Sequence, residues 1–145
     1  MSLSLRPVAV DDLADLAALD AAYARDMDTE PAVETASLAF FARTGHAFVA
    51  EEGGRPRGMV LAQAVWDGVR PTVRVSRLVG TPEARRALAE AVVKSAYDAA
   101  VYDLVAEVPA ADGALATLLA DARWFERPTR RFERVLGARG SVVSP

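Results

Sequence analysis

The chain has no cysteine, which excludes disulfide staples, thiolate nucleophiles and Cys-ligated metals. It has one histidine, His46, which argues against a multi-histidine metal site and against a Ser-His-Asp triad with a histidine to spare. Lysine is nearly missing as well: Lys94 stands alone, and the remaining basic residues are arginine. Arginine suits bidentate anion binding, but a codon bias toward Arg and Ala would produce the same preference, so no function is drawn from it. The net charge of -3 argues against a general electrostatic grip on nucleic acid. No apolar run approaches a membrane span, and Met1–Pro7 lacks the apolar core of a signal peptide. The expectation is a cytoplasmic protein with no nucleic-acid partner and no membrane partner.

What is present reads as globular. The 145 residues are 52% hydrophobic and 26% charged, enough for one domain with one real core. Alanine inflates the apolar fraction, so Leu, Val, Phe and the two tryptophans must supply the bulk. No internal repeat and no long linker divides the chain. It is read as a single domain over residues 1–137 with a C-terminal tail over 138–145.

Leu3–Pro7 alternates apolar and polar residues and reads as a strand. Asp11 or Asp12 then caps a helix whose apolar face is Leu13, Leu16, Leu19 and Tyr23, ending by Asp28. Ala32–Arg43 is a weaker helix, stopped near Gly45. His46–Glu52 and Gly58–Trp66 form a hairpin about a polar Gly-Gly turn. The Asp67-Gly68 turn leads into a third strand, Thr72–Val79. There Val73 and Val75 keep a period of two, but past Arg77 the apolar residues become Leu78 and Val79. Such a break is what a β-bulge leaves in a sequence. Thr81 caps the next helix, with Pro82 in its favoured first position and Leu88, Val92 and Ala96 down one face. Tyr102–Val108 follows as a strand parallel to the bulged one. Ala111–Ala122 is a helix, and Phe132, Val135 and Leu136 mark a last strand.

This α/β order, a mixed sheet centred on Val73–Val108, resembles the GNAT acyltransferase superfamily over nearly the whole chain. The resemblance implies a GNAT-like acyl-CoA N-acyltransferase fold with a central bulged, splayed strand. It implies acetyl-CoA as co-substrate, with the pantetheine arm lying in the splay like an added strand and the pyrophosphate at the following helix N-terminus. The cofactor-binding residues it implies are Arg77, Leu78, Val79, Gly80, Thr81, Arg85 and Arg86. The family's loop is written Gln/Arg-x-x-Gly-x-Gly/Ala, whereas Gly80 is the only glycine here, so the loop is degenerate. Arg85 and Arg86 oppose the helix macrodipole, a conflict that a bound anion would relieve and that two solvated arginines would tolerate at about 0.3–1 kcal/mol each.

Catalytic residues are not assigned. The family often places a carboxylate near the bulged strand, and this strand carries Arg74, Ser76 and Arg77 but no acid. Asp67 is nearest, yet Asp-Gly is ordinary turn chemistry. The family's tyrosine on the last helix falls at Leu119. His46 reads as an exposed or hydrogen-bonded residue, Trp66 and Trp124 as core, Tyr97 and Tyr102 as packing, and Tyr23 as core rather than acceptor site. The arginines from Arg123 to Arg134 read as a solvated strand face. Two functions follow: N-acetyl transfer from acetyl-CoA to a small-molecule or peptide amine, or a catalytically inactive GNAT-like binding, regulatory or dimerising domain. A homodimer rests on the resemblance alone. Fold does not choose between the two functions.

Overall fold

Residues 2–137 are described by a computed structural model; the tail expected over 138–145 lies outside them. The elements run β1 (Ser4–Pro7), a 3₁₀ turn, α1 (Leu13–Met27), α2 (Thr35–Phe41), β2 (Phe48–Glu52), β3 (Arg55–Asp67), β4 (Arg70–Gly80), α3 (Pro82–Asp98), β5 (Leu104–Ala106) and α4 (Gly113–Asp121). The strands form one sheet in the order β1-β2-β3-β4-β5. The first three pairings are antiparallel and β4 pairs with β5 in parallel, because the crossover through α3 returns the chain in the same direction.

Helix ends follow from local chemistry. Asp28 takes a left-handed conformation (φ 52°) and its N–H bonds the Ala24 carbonyl, closing α1. Thr81 Oγ1 accepts the Ala84 N–H at 3.2 Å and opens α3, with Pro82 needing no partner in the first turn. Leu88, Val92 and Ala96 then stack at four-residue spacing and are fully buried.

The sheet separates two apolar layers. α3 and α4 pack on one face over Ala50, Val60, Ala62, Val73, Val75 and Leu78. α1 and α2 pack on the other over Val49, Met59, Leu61 and Val79. Each large aliphatic side chain removed from water here is worth about 1.5–3 kcal/mol.

Four expectations are corrected. The strand expected over Tyr102–Val108 is ordered as a strand only at Leu104–Ala106. The last strand at Phe132–Leu136 does not form: residues 124–136 are neither helix nor strand, and Phe132 and Leu136 are exposed. Four arginines and two glutamates make that segment too polar to bury, and Arg131 instead pairs at the surface with Glu107 and Glu133. Trp66 is not core but 75% exposed. The β3–β4 hairpin outruns its neighbours, since β2 reaches only Val60 and β5 meets β4 only from Val73 onward, so nothing covers its tip. Tyr97 and Tyr102 are also exposed, stacked edge to face at 5.8 Å.

Candidate functional site

The site begins with one extra residue. Opposite β3, Leu61 pairs with Arg77 and Ala62 with Val75, leaving Ser76 without a partner. A regular strand would put Arg77 on the same face as Val73 and Val75. The bulge at Ser76 reverses the alternation. Leu78 rejoins the α3/α4 face, and Arg77 and Val79 turn toward α1 and α2.

The bulge is also where β4 and β5 part. Their ladder has three pairs, the last being Val75 with Ala106, followed by one bond from Glu107 N–H to the Val75 carbonyl at 3.3 Å. Among the described residues no ladder joins Ser76–Gly80 to the chain beyond Glu107. A wedge therefore opens between the ends of the two strands. α3 leaves from one of its sides and α4 from the other.

Five buried polar side chains gather at the mouth of that wedge: Asp20, Tyr23, Arg77, Arg85 and Asp112. Arg77 Nε lies 2.9 Å from Asp20 Oδ1, and its Nη2 donates to the Glu30 carbonyl. Asp20 Oδ2 accepts the N–H groups of Ala32 at 2.6 Å and Val33 at 3.0 Å, fixing the α1–α2 connection. The Tyr23 hydroxyl donates to Asp112 Oδ2 at 2.5 Å, and Arg85 Nη2 donates to the same oxygen. Asp112 Oδ1 accepts the Leu115 N–H at 3.0 Å and so caps α4. Arg77 and Arg85 place their guanidinium carbons 5.4 and 5.7 Å from the Tyr23 ring centre, within cation–π range.

Two carboxylates and two guanidiniums balance the charge. Burial pushes the Tyr23 hydroxyl well above its ordinary range, and the Asp112 hydrogen bond adds to the shift. Burial works to raise the Asp112 carboxyl, but its bonds from Arg85, Tyr23 and the Leu115 N–H outweigh it and hold the group below the usual carboxylate range. Both groups move away from neutrality, the wrong direction for a proton-transfer pair. The arrangement is suited to holding charge and position.

The residues implied as cofactor-binding are dispersed among several environments. Arg77 and Arg85 belong to the buried network, and Leu78 and Val79 are core on opposite faces. Gly80 sits against β3, where a Cβ would lie 2.4 Å from the Arg57 carbonyl oxygen. The Thr81 N–H donates to that same carbonyl at 3.1 Å. Arg86 is exposed and lines a groove of about 650 Å³ between α3 and α4, with Lys94, Tyr97, Leu118 and Trp124. Trp124 and Ala89 separate this groove from a small apolar cavity of about 10 Å³ under the wedge, bounded by Val75, Leu78, Ala106 and Leu119.

Asp67 lies at the exposed hairpin tip, paired in register with Arg70. Leu119 is buried in the α3/α4 layer. His46 is buried, its Nδ1 bonded to Ser95 Oγ, and burial lowers its pKa. Sequence reasoning missed Asp20 and Asp112. Asp20 had a signal: an acid at helical spacing between Leu16 and Tyr23, on the face that had to be buried. Asp112 had a weaker one, an aspartate directly before Gly113 at a helix start. Among the described residues no group of three or more His, Asp or Glu side chains is placed to hold a metal, and no helix is long and apolar enough to cross a membrane.

A family model described as a protein of unknown function, DUF1999, matches residues 3–132. Wild-type TTHA1254 from Thermus thermophilus is 42% identical over 94% of this chain and 99% of its own, with a TM-score of 0.77. A putative acetyltransferase from Agrobacterium tumefaciens is 20% identical, covering 91% of this chain and 99% of its own, with a TM-score of 0.71. A predicted acetyltransferase from Clostridium acetobutylicum, solved with acetyl-CoA, is 9% identical, covering 92% and 96%, with a TM-score of 0.70. No curated protein matches. The last two likenesses carry the fold, a five-stranded mixed sheet of the GNAT acetyltransferase type.

Proposed function

The chain belongs to the DUF1999 family, and from that premise we propose that it is an acetyl-CoA-dependent N-acetyltransferase acting on a small-molecule or peptide amine. One observation carries this reading: the bulge at Ser76 coincides with the parting of β4 from β5. That frees the backbone edge after Val75 to pair with an extended, amide-bearing arm such as pantetheine. The backbone of Arg77–Thr81 lines the arm, and Arg85 and Arg86 answer the phosphates. The amine nitrogen attacks the thioester carbonyl carbon, a C–N bond forms and the C–S bond breaks. The thiolate leaves, and the surplus ammonium proton passes to water. The chain supplies binding and orientation in this scheme, which suits the network's displaced proton affinities.

Calorimetry with acetyl-CoA and free CoA tests the reading, followed by thiol release over an amine panel. Micromolar binding that weakens about tenfold in Arg86→Ala, the exposed member of the pair, is the expected result. No binding of either ligand at millimolar concentration sinks it. A second reading, a domain that binds without turnover, is favoured by buried Leu119 where the resemblance places a proton-donating tyrosine. Tight binding with no thiol released by any amine selects it.

A further inference from the structure

The buried network does more than tie helices together: it stands across the entrance that the proposed ligand needs. Arg85 comes from the first turns of α3, which continues β4. Asp112 comes from the residue before α4, which follows β5. Their ion pair links the two sides of the wedge at its open end, and Tyr23 closes on the same Asp112 oxygen from α1. The apolar cavity between the parted strands, lined by Val75, Leu78 and Ala106, holds about 10 Å³, room for a water and not for a chain.

We propose that Arg85 is an anion-binding residue occupied from within by Asp112, and that a phosphate or pyrophosphate group displaces Asp112 and opens the wedge. Three observations carry the proposal. Arg85 is only 8% exposed, yet among the described residues its Nε has no hydrogen-bond partner, so the guanidinium keeps a donor that Asp112 leaves unused. Asp112 has a second attachment through Oδ1 to the Leu115 N–H, so it can release Arg85 and remain anchored on α4. Charge also balances only with Asp112 in place: without it, Arg77 and Arg85 face the single carboxylate of Asp20. The excess positive charge is buried and selects an anion. The chemistry of the anion stands independently; that it belongs to CoA rests on the function proposed above.

The test compares the wild type with Asp112→Asn, which keeps the α4 cap because asparagine caps as well as aspartate. Melting and calorimetry use two probes, inorganic pyrophosphate and CoA. Asp112→Asn is expected to melt lower in buffer, to be raised by pyrophosphate while the wild type hardly moves, and to bind CoA about tenfold tighter. Adding Arg85→Gln removes both gains. No gain from either probe overturns the proposal. Equal CoA affinity in wild type and variant overturns the strap and leaves the CoA reading standing. Rescue by pyrophosphate without CoA binding supports the anion site and removes CoA as its source. If Asp112→Asn does not fold, Tyr23→Phe loosens one tie on Asp112 and keeps its charge. A rise of about two- to fivefold in anion affinity is then expected, and unchanged affinity overturns the proposal.

Discussion

Gly80 carries a constraint that its neighbours cannot relieve. Its φ is +140°, and a Cβ there would meet the Arg57 carbonyl oxygen at 2.4 Å, backbone against backbone. Gly80→Ala is expected to cost about 2–4 kcal/mol in urea unfolding, while Gly45→Ala, at φ +79° but in open space, costs about 1 kcal/mol. The family resemblance puts this glycine in a ligand loop; its duty in the fold is close packing on β3. Asp20 presents the opposite case. It is fully buried, and Asp20→Ala leaves the Arg77 charge and two backbone N–H groups without their partner. A loss of about 3–5 kcal/mol is expected by denaturant melt. A single sequence shows an acid on an apolar helix face but not which arginine will reach it, because the partner lies on a distant strand.

At the scale of elements, the informative segments were those whose signal is local. Thr81 and Pro82 set the start of α3, and the broken period after Val75 set the bulge, because caps and alternation act over a few residues. Thr81→Ala is therefore expected to cost about 1 kcal/mol, read by chemical melt, since only the cap to Ala84 is lost. The extent of β5 and the fate of Phe132–Leu136 were not legible in this way. How far a strand is paired depends on what its neighbour does, and β4 turns away after Val75. The terminal segment had apolar residues at strand-like spacing, but Arg131 within it found partners at the surface instead.

The whole molecule joins two apolar layers through a sheet, and its polar contacts decide how it answers pH. His46, at the entry to β2, bonds Ser95 on α3, and burial lowers its pKa from the ordinary 6.5. Below that ordinary value the unfolded chain takes up a proton more readily than the folded one, so stability falls as pH drops through the window beneath about 6.5. Urea midpoints should decline from about pH 7.5 to about pH 5.5, and His46→Gln should flatten the decline. Asp12, held low by Arg6, and Asp112 lose their contribution further down, as pH falls through and below about 4. The buried network has a kinetic consequence too. Its members run from Asp20 to Asp112, so it closes only after α1, β4, α3 and α4 have met. It is expected to form on the late side of the folding barrier. Tyr23→Phe should therefore speed unfolding in a stopped-flow chevron and leave the refolding limb nearly unmoved; a slowed refolding limb would place the network in the nucleus instead. The strap across the wedge is, on this account, the last part of the protein to lock and the first to let go.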